Sequence, residues 1–294
     1  MTNRIRALHL HDRLLDPAEP EVWVGVVPER RTATTDVRGR LMGPRCHYAT
    51  TVEVAYPLQP FARPPEELPG LARRVVIPEA SLWEPQCPFL YQGPVELWED
   101  GQLRDQLAVS RGLRAVNLGS RGLRLNGRSF TVRGVARDHL PDEEAGRLRE
   151  AGCNTLLAPV ASGTASLWDR ADRLGFFLLG RTDGGDESFR LARALQGHPS
   201  CLGWLLGQAV LERGQAASQA ASLATPLIGV ELHREPPRPL PEGIRFVFCP
   251  ETLLPSLAEV SLPKMVSVDE ESFDGGKVGR LLSLPGVLGV VVNR

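Results

Sequence analysis

The second half of this chain carries a repeat of short, apolar, β-prone runs, and that repeat limits its fold more than any other feature. The runs lie at 130–135, 155–157, 176–179, 202–206, 227–230, 245–248, 265–268 and 287–292. Their spacing of roughly 17 to 26 residues leaves room for a helix or a loop between parallel strands, and eight such runs is the count of a (β/α)8 barrel of the TIM type. About 165 residues is short for a fold that usually takes roughly 200 to 250, so the barrel is expected to be compact, with thin fifth to eighth units. Residues 236–241, rich in proline, read as a loop. The first helix is clearer. Pro141, Asp142, Glu143 and Glu144 form an acidic start, Leu148 and Ala151 an inner face, and Gly152 a stop.

Before residue 118 the pattern is different. Apolar residues alternate in short runs at 22–26, 48–56, 74–77, 95–98 and 103–109, separated by turns such as 57–69 and Asp100-Gly101. This is the spacing of a seven-stranded β-sandwich of about 100 residues. The first dozen residues are polar and His-rich and are not assigned. Asn126-Gly127 is a two-residue turn signal, which predicts a hairpin between 123–125 and 130–135 leading into the barrel. The expected organisation is therefore a multi-domain β plus α/β chain, with a sandwich over 1–118 and a compact barrel over 119–294.

With 42% hydrophobic and 23% charged residues, 294 residues can bury two ordinary cores. The 34 basic and 35 acidic residues nearly cancel, which argues against a nucleic-acid or membrane-surface partner. All the basic residues but Lys264 and Lys277 are arginines, scattered among acids. Cys46, Cys87, Cys153, Cys201 and Cys249 are odd in number and lack metal-ligand spacing, so they read as free thiols in a reducing compartment, with Cys46–Cys87 as the one candidate disulfide. Residues 1–16 lack the apolar core of a signal peptide, and no run approaches a membrane span. A cytoplasmic protein without cofactor or metal is expected.

Several motifs add a resemblance. Residues 82–91 read Leu-Trp-Glu-Pro-Gln-Cys-Pro-Phe-Leu-Tyr, 110–114 read Ser-Arg-Gly-Leu-Arg, 125–128 read Leu-Asn-Gly-Arg, and 133–139 read Arg-Gly-Val-Ala-Arg-Asp-His. In order and spacing these resemble the family 2 glycoside hydrolases, the β-galactosidase, β-glucuronidase and β-mannosidase group. The resemblance implies an immunoglobulin-like sandwich followed by the barrel, without the family's N-terminal jelly-roll domain.

It also implies where a sugar site belongs. Retaining glycosidases use two carboxyl groups about 5 Å apart, one protonating the leaving oxygen and one attacking the anomeric carbon. The family's acid/base Glu ends the fourth strand in His-Pro-Ser-x-x-x-Trp-Ser-Leu-Gly-Asn-Glu. Here residues 198–209 read His-Pro-Ser-Cys-Leu-Gly-Trp-Leu-Leu-Gly-Gln-Ala, so Ala209 holds that position and Gln208 the preceding one. On the second strand, Leu157 and Val160 stand where the family has Arg and His. The third strand ends in Gly180-Arg181 instead of Asp-Glu. Near the end of the seventh strand, Asp269 and Glu270 are the candidate catalytic carboxylates, although strict counting from Pro263 lands on Val268.

Candidate substrate-binding residues are Arg137, Asp138, His139, Gln208 and Glu231. Asp183, His233 and Glu251 also fall at strand ends, and Glu231 with His233 weakly resembles a ligand pair. Trp83, Trp98, Trp168 and Trp204 are candidate sugar-stacking groups, with burial expected for Trp168 and Trp204. The sequence points to a relative that has lost its acid/base and serves as a scaffold or binding protein, with carbohydrate or a protein as partner. The alternative is an altered O-glycosyl hydrolase using Asp269 or Glu270 with Asp138 or Glu231.

Overall fold

The computed structural model describes residues 3–14, 19–223, 227–236, 239–270 and 275–293. The chain divides into two compact units, Met1–Arg114 and Ala115–Arg294.

The first unit is all β: β1 (Ile5–Arg13), β2 (Glu21–Pro28), β3 (Asp36–Arg45), β4 (Val54–Pro57), β5 (Gln59–Pro60), β6 (Leu71–Val76), β7 (Leu90–Glu99) and β8 (Gln102–Arg111). They form two four-stranded antiparallel sheets, ordered β1-β2-β6-β5 and β4-β3-β7-β8. Val22, Val24 and Val75 from one sheet share a core with Leu41, Val95 and Leu97 from the other. Each of these side chains contributes roughly 1.5 to 3 kcal/mol on burial. Tyr91, the second residue of β7, is fully buried, its hydroxyl accepting from the Ser81 amide at 2.8 Å. Trp83 is also fully buried, so it has no face for a sugar, whereas half-buried Trp98 carries the Arg38 guanidinium 4.8 Å from its ring centroid.

The unit has eight strands where the spacing suggested seven, and several differ from the sequence reading, β5 lying within the turn expected at 57–69. β1 arises from the unassigned first residues, whose Ile5, Leu8 and Leu10 pack on the core. β3 lies in a stretch without an expected run, and it contains Gly39, Gly43 and Pro44. Gly39 has φ 139°, and a Cβ there would lie 2.1 Å from the Pro94 carbonyl oxygen, so the two backbones approach where only glycine fits. The run expected at 48–56 contributes only its end, β4.

The second unit opens with a small antiparallel sheet of β9 (Val116–Gly119), β10 (Gly122–Leu125) and β11 (Arg128–Ser129). Asn126 and Gly127 have φ 49° and 79°, as the two-residue turn requires. The hairpin's second arm is β11, however, and the run beyond Phe130 leaves it to begin the barrel as β12 (Val132–Ala136). There follow α1 (Asp142–Glu150), β13 (Thr155–Pro159), α2 (Ala165–Leu174), β14 (Phe177–Thr182), α3 (Asp186–Leu195), β15 (Cys201–Gly207), α4 (Gln208–Glu212), α5 (Ala216–Ala221), β16 (Ile228–Glu231), β17 (Phe246–Pro250), β18 (Lys264–Asp269), α6 (Gly275–Leu282) and β19 (Val287–Asn293).

Strands β12 to β19 pair in parallel with their chain neighbours, and β19 pairs back to β12, closing an eight-stranded barrel. Large and small residues alternate inside it. A Cβ at Gly229 would meet the Phe246 ring at 2.4 Å. Trp168 of α2 and Trp204 of β15 are fully buried with ring centroids 5.3 Å apart, in the layer between helices and strands. The units after β16 and β17 are thin, and β17 to β18 is bridged by short 3-10 turns at Glu251–Leu253 and Pro255–Leu257. Residues 237–238 of the loop expected at 236–241 lie outside the described residues. All five cysteines, Cys46 and Cys87 included, are free thiols.

Candidate functional site

In a parallel barrel the C-terminal ends of the strands form the mouth, where ligands meet side chains. The centre of this mouth is an ion pair. Arg181, near the end of β14, donates from Nη2 to Glu231 Oε1 at 2.9 Å, and its Nε lies 2.8 Å from Oε2. Glu231 ends β16 with its side chain 9% exposed, against 40% for Arg181. Two oppositely charged strand ends thus meet across the intervening β15. The guanidinium thus faces both carboxylate oxygens, a charge-assisted pairing that fixes the carboxylate's orientation. His233 is solvent-facing, its Nε2 4.0 Å from Glu231 Oε1.

The fourth strand's end is built differently. β15 runs directly into α4, and Gln208, the first residue of that helix, is buried. Its Nε2 donates to Glu212 Oε1 at 3.1 Å, and its Oε1 accepts from the His233 amide at 2.9 Å, tying α4 to the segment after β16. Ala209 follows, exposed in the first turn. On β13 and just beyond it, Leu157 and Val160 are both buried, Val160 within the same apolar cluster as Trp168 and Trp204.

The other candidates are scattered. Arg137 is turned toward α1, donating from Nε to Glu144 Oε1 at 2.6 Å and from Nη1 to the Ala136 carbonyl at 2.7 Å. Asp138 and His139 pair with each other at 2.6 Å, both 68% exposed. Asp183 organises the turn into α3, accepting from Ser188 Oγ at 2.6 Å and the Gly185 amide at 2.8 Å. Those two hydrogen bonds hold its carboxyl below the ordinary carboxylate range. Glu251 lies 2.5 Å from Lys277 Nζ. Asp269 is exposed at the end of β18, paired in register with Asn293, and Glu270 lines a groove on the barrel's outer side. The structure therefore brings together Glu231, His233 and Gln208, with Arg181 as the partner the sequence reading missed. Its signal was an Arg and a Glu at the ends of strands two apart.

Asp169, Asp172 and His198 place possible metal-ligand atoms within 4.8 Å of one another. Both oxygens of buried Asp172 are already engaged, one 2.7 Å from His198 Nδ1 and the other accepting from the Ser200 amide at 2.9 Å. This cluster latches α2 to the start of β15, at the foot of the barrel, and its bonds account for its geometry without an ion.

No family model matches the chain. In sequence it is 23% identical over 179 residues to a β-galactosidase of Bacteroides ovatus, covering 48% of this chain and 20% of that protein. It is 32% identical over 72 residues to a β-galactosidase of Psychromonas ingrahamii, covering 24% of this chain and 7% of that one. The fold matches the β-glucuronidase of Ruminococcus gnavus solved with D-glucaro-δ-lactam, with TM-score 0.69 and 13% identity over 99% of this chain and 61% of that one. It matches the β-D-glucuronidase of Dictyoglomus thermophilum similarly, with TM-score 0.69, 14% identity, and coverage of 99% and 62%. The chain thus spans about a fifth of the first of these curated relatives and about three fifths of the solved ones. Together these likenesses support a relative of the family 2 glycoside hydrolases.

Proposed function

We propose that this relative of the family 2 glycoside hydrolases is a non-catalytic protein, keeping the barrel as a cytoplasmic scaffold or binding module for carbohydrate or a protein partner. The observation that carries the reading is the state of the mouth. Where the family resemblance asks for an acid/base there is Ala209, and Glu231, the one carboxylate buried at a barrel-strand end among the described residues, is clasped by Arg181. General-acid catalysis is worth about 10² to 10⁴ in rate, and alanine has no proton to give.

In the same reading, residues 1–118 contain an immunoglobulin-like sandwich and residues 119–294 the barrel. Two features support the sandwich type. The sheet orders β1-β2-β6-β5 and β4-β3-β7-β8 correspond to A-B-E-D and C′-C-F-G, and the Tyr91 hydroxyl bonds back to Ser81 as a tyrosine corner does at the start of strand F.

The test is hydrolysis of nitrophenyl β-galactoside, β-glucuronide and β-mannoside by the purified chain. Rates equal to buffer are expected for all three. Turnover that disappears in the Asp269→Ala, Glu270→Ala double variant would overturn the reading in favour of an altered O-glycosyl hydrolase. That second reading draws on Asp269, exposed at the end of the seventh barrel strand.

A further inference from the structure

The polar, His-rich first residues, unassigned from the sequence, form β1, an edge strand of its sheet. In the β1–β2 register Leu8 and Leu10 stand opposite Val26 and Val24, which are buried, and both leucines pack on the core. His9 and His11 stand opposite Gly25 and Trp23 and therefore share the outer face. Two residues apart on one side of a strand, their Cα atoms are about 7 Å apart. That spacing lets two imidazoles turn toward one cation between them, each ring nitrogen about 2 Å from it.

Neither ring is committed elsewhere. His9 is half-buried and His11 exposed, and neither has a hydrogen bond, ion pair or ring contact with another described residue. The next outward side chain, Arg13, holds its guanidinium 4.4 Å from the Trp23 ring centroid. Glu21 accepts from Trp23 Nε1 at 2.6 Å and from Arg74 Nη1 at 2.8 Å. On the His9 side, Leu68 packs over Gly25, where a Cβ would lie 3.0 Å from its Cδ1. Glu66 and Glu67, just before Leu68, are exposed and have no partner among the described residues, so the added charge on that side is negative and favours a cation.

Imidazole suits copper, nickel and zinc, whereas calcium and magnesium take oxygen ligands. Among the described residues only Asp169, Asp172 and His198 gather three potential ligands, so the β1 pair supplies two and leaves the remaining positions to water. We propose that His9 and His11 form a two-ligand site for a late first-row divalent cation, held most tightly as Cu(II) by the usual order of stabilities among these metals. The site uses no residue of the barrel mouth, so glycosidase assays neither support nor weaken it.

The probe is copper sulfate alone, titrated into the full chain in a buffer that does not bind copper. Calorimetry is expected to show one equivalent bound with a Kd between about 1 and 100 µM, and the Cu(II) electron paramagnetic resonance spectrum to show coupling to two imidazole nitrogens. Because Trp23 stands opposite His11, bound Cu(II) is expected to quench its fluorescence. Trp23→Phe is expected to remove most of that quench while keeping the affinity within about two-fold. His9→Gln and His11→Gln are each expected to weaken binding about ten-fold or more, with urea midpoints equal to the parent's. His47→Gln, exposed just beyond β3, is expected to leave binding unchanged. Absence of saturation below about 1 mM would overturn the proposal, as would undiminished binding by the His9→Gln, His11→Gln double variant. Binding abolished instead by His198→Gln would also overturn it and assign the metal to the cluster at the foot of the barrel.

Discussion

A carboxylate at a barrel mouth means little until its partners are known, and Glu231 illustrates this. Its side chain is 9% exposed, and Arg181 brings two guanidinium nitrogens to 2.8 and 2.9 Å from its oxygens. Removing one member of a buried pair strands the other charge at a cost of about 3 to 5 kcal/mol, and the 40% exposure of Arg181 brings the expectation down to about 2 to 3 kcal/mol. Arg181→Leu is therefore expected to lower the urea midpoint clearly, while Arg181→Leu with Glu231→Leu together recovers to within about 1 kcal/mol of the parent. Additive losses in this double-mutant cycle would show that the pair is not coupled. Tyr91 gives a second residue-level expectation. Burial pushes its hydroxyl from the ordinary value of 10.0 up to about 12. The folded value is raised, so the associated stability is complete below the unfolded value near 10 and is lost as pH rises toward 12, by up to about 1.4 kcal/mol per pH unit. Unfolding free energies at pH 9 and pH 11 are expected to converge more closely in Tyr91→Phe than in the parent. An unchanged alkaline loss in that variant would assign it to other groups, such as the buried Cys249 thiol, which burial also pushes up, to about 11.

Among the elements, what the sequence discloses depends on whether its signal is local. The eight barrel strands are legible because parallel strands covered on both sides are continuous apolar runs, and Phe177 to Leu179 or Cys201 to Leu206 are buried residue after residue. β1 hides among histidines since its apolar Ile5, Leu8 and Leu10 are only partly buried against the core, and β3 hides behind glycines that its packing demands. α1 is legible in position and half legible in face: Leu148 packs on the core beside buried Ala145, whereas Ala151, also expected inside, is exposed. The Arg181–Glu231 pair is illegible for a related reason, because barrel stagger decides which strand ends face one another across a third. Gly39 allows the element-level account to be tested. Its φ of 139° and the 2.1 Å approach of the Pro94 oxygen leave no place for a side chain. Gly39→Ala is expected to cost about 2 kcal/mol or more in thermal or urea unfolding, above the roughly 1 kcal/mol of an ordinary strained glycine replacement. A loss below about 0.5 kcal/mol would mean that β3 and β7 separate easily there.

At the scale of the whole molecule, a closed barrel coexists with a mouth whose polar ends are spent on internal bonds, Gln208 on Glu212 and the His233 amide, Glu231 on Arg181. Loss of one acid and loss of an entire sugar site are different conditions, and leaving-group chemistry separates them. A nitrophenolate with a second nitro group departs without protonation, so a glycosidase that lacks only its acid still attacks such a substrate through its nucleophile and releases one equivalent of phenolate as the glycosyl-enzyme forms. If Asp269 or Glu270 retained that role, dinitrophenyl β-galactoside or β-glucuronide would give a burst even though Ala209 cannot act as an acid. With Leu157 and Val160 buried and Glu231 clasped, no burst is expected from the parent chain. Ala209→Glu is likewise expected to hydrolyse mononitrophenyl glycosides at the buffer rate, because a restored acid multiplies only a reaction that the rest of the site already supports. A stoichiometric burst abolished by Asp269→Ala would show a surviving nucleophile, and a gain of more than about ten-fold in Ala209→Glu would show a site short of a single group.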